Sequence, residues 1–294
     1  MRVNACSMAG YPSECRVANG SLVLTPPSTV IPAKPETQAL TASTAMRHLR
    51  RLLTLATLLC AFATHATPPI TIHLAGDSTM AEKLPEKRPE AGWGEHLAAQ
   101  FRPGSVIVDN RAKNGRSTRT FIEEGRWAAL LEATKPGDVV LIQFGHNDQS
   151  VEKPDRYTPP ADYARNLERF VSDVRAKGAT PVLLTPVARR RFDEAGHVVP
   201  SHGEYPDLVR ALAARERVAL IDMERRSSAV LQEAGAEESK ALFLWIPAGT
   251  QANYPAGLQD NTHFSPKGAA RMAREFAFAL RESGLALAGA LRAE

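Results

Sequence analysis

Ile70-Thr71-Ile72-His73-Leu74-Ala75-Gly76-Asp77-Ser78-Thr79 is the stretch on which the fold turns. Ile70–Leu74 is β-branched or aliphatic apart from one histidine and predicts a buried strand, and Gly76-Asp77 predicts a tight turn behind it. His73 alternates within the strand and reads as a packing residue. Further along, Val106–Val108, Val139–Phe144, Pro181–Thr185 and Val218–Ile221 have the same character. Longer amphipathic stretches separate them and predict helices over Gly92–Phe101, Arg126–Thr134, Pro160–Lys177, Glu204–Arg215, Glu224–Ala234 and Ser265–Ser283. This alternation predicts an α/β fold, with five parallel strands covered by helices on both faces. Lys177-Gly178 marks a helix end and Ser265-Pro266 a helix start. The segments Arg189–His202 and Trp245–Asn261 read as long loops.

The residues ahead of this scaffold differ in kind. Residues 1 to 45 are polar, rich in Pro, Ser and Thr and without periodicity, so they are not expected to pack. Met46-Arg47-His48-Leu49-Arg50-Arg51 then precedes an apolar run from Leu52 to Ala63. A basic start, a short apolar core and small residues behind it are the layout of a secretory signal peptide. The apolar run falls short of the ~20 residues that span a bilayer. Cleavage is expected after Ala66, and Met46 is expected to be the natural first residue. The expected organisation is a leader over 1–66, with the signal peptide at about 46–66, followed by one domain over 67–294.

The 294-residue chain is 44% hydrophobic, which is ordinary for a globular protein and leaves function open. Its net charge of +4 is a property of the leader, because residues 1–66 hold six of the 36 Lys and Arg but only two of the 32 Asp and Glu. The remainder balances, so neither nucleic acid nor an acidic membrane is indicated as partner. Cys6, Cys15 and Cys60 also fall in the leader, and no disulfide or thiol chemistry is expected beyond it.

In open parallel sheets ligands bind beyond the carboxyl ends of the strands, so the residues just past each strand are the informative ones. Ser78 stands behind the first strand, with helix-start N–H groups nearby to favour an oxyanion. Taken alone, Gly-Asp-Ser fits a helix N-cap better than a nucleophile. Gly115, behind the second strand, either brings its N–H close to a ligand or serves as a plain turn residue. The third strand runs into Gly145-His146-Asn147-Asp148. There Asn147 can donate from its amide, His146 reads as a structural hydrogen-bonding group, and Asp148 as a cap or turn residue. Near the C-terminus Asp260 precedes His263 by three positions within one loop, where a carboxylate fixes the imidazole tautomer for proton transfer. The other reading packs His263 under the last helix. His96 reads as a helix-face residue, and His197 and His202 as solvated loop residues.

Metal ligation and nucleotide binding are not indicated. Beyond the leader there is no cysteine, there is no His-Glu-x-x-His, and neither Gly-x-Gly-x-x-Gly nor a Lys-terminated P-loop follows a strand. No metal and no cofactor are expected. Gly-x-Ser-x-Gly is absent too, which argues against a nucleophile-elbow hydrolase.

Gly76-Asp77-Ser78, Gly115, Gly145-His146-Asn147-Asp148 and Asp260-Asn261-Thr262-His263 resemble, in order, the four signature blocks of the SGNH (GDSL) hydrolases, over roughly Ile70 to Ser283. Asn114–Phe121, Glu124-Gly125-Arg126-Trp127, Gly137-Asp138 and Thr262–Ala269 look like the rhamnogalacturonan acetylesterase branch. Thr79 follows Ser78 where the family's popular name has leucine, as is usual in that branch. The resemblance implies a three-layer α/β/α sandwich, flavodoxin-like, around a five-stranded parallel sheet. It implies that Ser78 attacks an ester carbonyl, that His263 takes its proton and returns it to the leaving sugar hydroxyl, and that Asp260 orients His263. The N–H groups of Ser78 and Gly115 and the amide of Asn147 are the implied oxyanion hole.

The expected activity is removal of O-acetyl groups from the rhamnogalacturonan backbone of pectin by a monomeric enzyme, secreted or periplasmic. Acetylated xylan, another acetylated sugar or a short acyl ester is the alternative substrate. A carbohydrate-binding protein with a degenerate site is opposed by the presence of all five signature residues. No long apolar lid is apparent, and 6% aromatics leave little for a lipid surface. Arg116 and Arg119 can attract acidic galacturonate units, while Arg189-Arg190-Arg191 reads as a solvated charge run.

Overall fold

Strands β1 (Ile70–Gly76), β2 (Val106–Asn110), β3 (Val139–Gln143), β4 (Thr180–Leu184) and β5 (Ala219–Ile221) form one parallel sheet in the order β2-β1-β3-β4-β5. They come from a computed structural model that describes residues 68–293. The expected signal peptide, its cleavage after Ala66 and the three cysteines lie outside the described residues. Each strand read from the sequence is present, with ends shifted by one or two residues. Because β1 has β2 on one side and β3 on the other, the connections behind β1 and β3 diverge and open a crevice at the carboxyl edge.

Strand alternation sorts the core into two faces. Ile72, Leu74, Leu141, Val182 and Leu184 point to one, where α5 (Met223–Glu238) and α6 (Pro266–Glu282) pack. Ala75, Val140, Ile142 and Leu183 point to the other, under α1 (Thr118–Glu123), α2 (Arg126–Ala133), α3 (Pro160–Ala176) and α4 (Tyr205–Glu216). The result is the three-layer α/β/α sandwich. Helix α6 shows why: Ala269, Met272, Ala273, Phe276 and Leu280 recur at helical spacing and are all buried, and each large one contributes about 1.5–3 kcal/mol. Ser265 caps the helix by accepting from the Gly268 N–H at 3.2 Å, with Pro266 at its first position.

Three readings need correction. Gly92–Phe101 is not a helix but two short 3₁₀ turns, Trp93–His96 and Ala98–Gln100. Trp93 donates its backbone N–H to Thr79 O at 2.9 Å, and a Cβ on Gly92 would lie 2.1 Å from Ala81 O. Close approach to the turn behind β1 overrides helix propagation there. Second, α1 has no strong apolar period and was not foreseen; it is held from outside, as described below. Third, Trp245–Asn261 is loop only over residues 247–257, and both its ends are strand. β6 (Phe243–Ile246) and β7 (Leu258–Phe264) pair antiparallel, which places His263 on a strand. The sequence of β7, LQDNTHF, lacks apolar alternation because it lies on no core face of its own, and pairing with β6 supplies its order.

Gly268 fastens this hairpin to α6. A Cβ at that position would stand 1.8 Å from Leu242 O, so only glycine lets the first turn of α6 touch the backbone ahead of β6.

Candidate active site

Ser78, Asn147 and the Asp260/His263 pair reach the carboxyl edge of the sheet from β1, β3 and β7. The hydroxyl of Ser78 lies 2.9 Å from His263 Nε2, and His263 Nδ1 lies 2.7 Å from Asp260 Oδ2. Asp260 Oδ1 also accepts the backbone N–H groups of Thr262 and His263 at 2.6 and 2.9 Å. Burial pushes the Asp260 carboxyl up. The hydrogen bond and charge of His263 and the two backbone donors outweigh that and bring it down to about 2. Asp260 is therefore an ionised acceptor, so His263 Nδ1 donates to it and Nε2 is left to accept the Ser78 proton.

The turn behind β1 is locked by a one-way chain of hydrogen bonds. Trp93 Nε1 donates to Gln143 Oε1 at 3.2 Å, Gln143 Nε2 to Thr79 Oγ1 at 2.8 Å, and Thr79 Oγ1 to Asp77 Oδ1 at 2.8 Å. Lys83, buried behind the turn, donates to the Ser78 carbonyl and, at 2.9 Å, to Asn114 Oδ1, and it pairs with buried Glu90 at 2.7 Å. One ammonium thus ties the peptide of Ser78 to the residue before Gly115. No pattern in the sequence announces this, because Lys83 and Glu90 sit in an irregular stretch and meet only in space.

Gly115 adopts φ 78°, the left-handed conformation that favours glycine. The backbone N–H groups of Ser78 and Gly115 make no hydrogen bond to any described residue. Asn147 Nδ2 donates to Arg116 O at 3.0 Å, which sets the plane of its amide and leaves a second N–H. All three residues line one cavity of about 620 Å³ together with His263.

Several polar residues differ from their sequence reading. His73 is buried within β1 as its packing reading requires, but its ring also bridges Asp109 of β2 at 2.8 Å and Asp138, just ahead of β3, at 3.1 Å. His202 is not solvated but buried, with Nε2 at 3.0 Å from His146 Nδ1 and Nδ1 at 3.1 Å from Ser201 Oγ. Burial drives both imidazoles down, His202 to about 3, so this pair is neutral. Of the Arg189–Arg191 run, Arg189 lines the catalytic cavity and Arg190 lies over the Trp245 ring at 4.9 Å, so only Arg191 is exposed as expected.

Asp148 is a cap, but a buried and distant one. Its Oδ1 accepts the N–H and hydroxyl of Thr118 at 2.8 and 2.6 Å, which reinforces from thirty residues away the local cap that Ser117 makes with the Thr120 N–H at the start of α1. Burial raises its carboxyl to about 7. Between the unfolded value near 4 and 7 the native state holds a proton that the unfolded state lacks, so stability falls as pH rises, by up to about 1.4 kcal/mol per pH unit. Asp148→Asn keeps an acceptor for Thr118 and removes the titration. Urea unfolding at pH 5 and pH 8 is expected to shift the stability difference in favour of the variant at the higher pH. A difference that does not move with pH contradicts the assignment.

Among the described residues no three His, Cys, Asp or Glu side chains converge as a metal would require. A hydroxyl, an imidazole and a carboxylate stand in series beside N–H groups that no described residue uses. Residues 74–271 match the GDSL-like lipase/acylhydrolase family, and the chain belongs to it. It is 46% identical over 219 residues to rhamnogalacturonan acetylesterase RhgT of Bacillus subtilis, covering 74% of this chain and 93% of that one. It is 39% identical over 217 residues to the probable rhamnogalacturonan acetylesterase YesY of the same organism, covering 74% and 94%. The crystal structure of Bacillus subtilis YxiM superposes with a TM-score of 0.64 at 29% identity, over 74% of this chain and 58% of that one. The protein is a carboxylic ester hydrolase of this family.

Proposed function

We propose that the protein is a serine esterase that removes O-acetyl groups from the rhamnogalacturonan backbone of pectin. The observation that carries a sugar substrate is the catalytic cavity: every residue lining it is polar, charged or glycine, and no Ala, Val, Leu, Ile, Met, Phe, Tyr or Trp side chain is offered to an acyl chain. The likeness to RhgT and YesY supports the particular polysaccharide. Ser78 Oγ attacks the acetyl carbonyl as its proton passes to His263 Nε2, and the tetrahedral oxyanion takes the N–H groups of Ser78, Gly115 and Asn147. The C–O bond to the sugar then breaks, and His263 protonates the leaving hydroxyl. Water repeats the sequence on the acetyl-enzyme and releases acetate. Asp260 holds the ring and balances the imidazolium. The reading includes export by the signal peptide at 46–66, one catalytic domain over 67–294 and action as a monomer.

Acetate release from acetylated rhamnogalacturonan, acetylated xylan and a long-chain ester tests the substrate. The first is expected to be preferred; equal rates on xylan overturn the pectin assignment. Asn147→Ala removes one oxyanion donor and is expected to lower kcat by about 10²–10³-fold with little change in KM. A loss confined to KM would remove Asn147 from the oxyanion hole.

A further inference from the structure

The pairing of β1 with β2 extends past the strands as far as the Lys113 N–H on Gly76 O at 3.0 Å, two residues short of Ser78 on one side and of Gly115 on the other. The backbone N–H groups of Ser78 and Gly115 therefore stand on separate loops. Lys83 bridges that gap. An ammonium has three donors, and three acceptors surround this one: the Ser78 carbonyl, Asn114 Oδ1 at 2.9 Å and Glu90 Oε1 at 2.7 Å. The third carries the link further, since Ala91, next to Glu90, donates its N–H to Phe264 O at 3.0 Å, and Phe264 follows His263. One cation thus meets the segments that hold Ser78, Gly115 and, through Glu90, His263. The Lys83 side chain is wholly buried and that of Glu90 nearly so. Burial lowers the pKa of the ammonium, and the Glu90 carboxylate opposes that. Stability alone does not call for such a pair, because apolar side chains of similar volume are often as stable as a buried ion pair. What no apolar side chain supplies is donation from one atom to three loops.

We propose that Lys83 is a positioning residue of the esterase: its ammonium, backed by Glu90, holds the N–H groups of Ser78 and Gly115 at the spacing that the oxyanion requires. The inference rests on the serine mechanism above and adds to it a residue that touches neither the substrate nor the reacting atoms. A misplacement of about 1 Å in such donors lowers the rate on the order of 10²-fold.

The experiment measures p-nitrophenyl acetate hydrolysis and thermal unfolding of Lys83→Met and Lys83→Met/Glu90→Met. The single variant leaves Glu90 buried without its cation and is expected to melt well below the native protein, whereas the double variant, with an apolar pair of similar length, is expected to melt close to it. Both are expected to lose about 10²-fold in kcat with KM within about threefold of native. An alkylboronic acid, whose tetrahedral adduct with a serine hydroxyl takes the same N–H groups, is expected to bind the double variant more weakly by a similar factor. Activity that returns together with thermal stability in the double variant is the mark of a packing role and overturns the proposal. A loss of kcat with boronate affinity unchanged overturns it too. Asn114→Ala, which cuts only the arm to the Gly115 loop and leaves the ion pair whole, is the variant that decides should the others fail to fold. It is expected to lose about tenfold in kcat, and a native kcat there overturns the proposal. Ser78→Ala, assayed alongside, separates the two readings. Near-native rates in it sink the serine mechanism and leave Lys83 nothing to position. If it is inactive while the Lys83 and Asn114 variants keep the native kcat, the mechanism stands and the positioning role alone is overturned.

Discussion

Ser78→Ala is expected to lower acetate release by roughly 10⁴-fold or more while leaving thermal unfolding close to that of the native protein. The hydroxyl is the group in contact with His263 Nε2, at 2.9 Å, and its loss leaves His263 only water to activate. Neither the turn nor the core depends on it: the chain from Trp93 through Gln143 and Thr79 to Asp77, and the Lys83 bond to the Ser78 carbonyl, use other atoms. Residual turnover comes from the oxyanion donors, so Ser78→Ala/His263→Ala is expected to be about as slow as Ser78→Ala alone, because the two groups act as one unit. Acetate assays on the single and double variants check both statements. Activity within tenfold of native in Ser78→Ala would place the nucleophile elsewhere, and additive losses would break the link to His263.

The second large effect lies in a change of one atom. Asp260→Asn is expected to reduce kcat by about 10³–10⁴-fold with the fold intact. Its Oδ1 can still accept from Thr262 and His263 backbone N–H groups, so the end of β7 keeps its shape. The atom facing His263 Nδ1 then becomes an N–H₂ donor, which requires Nδ1 to accept and moves the ring proton to Nε2. An Nε2–H cannot take the Ser78 proton. Asp260→Ala loses the backbone acceptor as well and is expected to be less stable than Asp260→Asn. NMR of the imidazole nitrogens, with kinetics, decides the matter: an unchanged tautomer alongside full activity would remove Asp260 from proton transfer. The depressed carboxyl also sets a boundary. Since Asp260 stays ionised until pH approaches 2, the acid limb of the activity profile belongs to another group. Its stabilising contribution is present above the unfolded carboxyl value near 4 and is lost as pH falls through about 2.

Strands β1, β3 and β4 were legible because each is buried on both faces and so reads as a continuous apolar run. Helices α3 and α6 were legible because one stripe of each meets the sheet at helical spacing, with cap residues at Ser265-Pro266 and Gly178. The residues proposed for the site were legible as four short blocks through their resemblance to a known family, since a turn behind a strand must carry its chemistry within a few residues. The failures share a cause. Gly92–Phe101 has helical composition, but Gly92 and Gly94 press it against the turn behind β1. Helix α1 has a local capping box, Ser117 with Thr120, but is fastened by distant Asp148, and β7 takes its order from β6; those two partners are remote in the chain and invisible to local pattern. His73, His202 and Arg189 look like ordinary packing or surface residues in sequence, and their roles depend on Asp109, Asp138, His146 and Thr262 arriving beside them.

Local patterning, by itself, determined the α/β alternation, the five strands and five of the helices, while Ser78, Gly115, Asn147, Asp260 and His263 were singled out by the resemblance of four short blocks to a known family. Those features depend on periodic burial and on residue types within a few positions of one another. Only the tertiary structure decided which nitrogen of His263 faces Ser78, that Lys83 braces the turn at Ser78, and that Asp148 is buried with a raised carboxyl. Each of these is a matter of distance between groups remote in sequence and of water excluded from around them, and neither quantity exists until the chain has folded.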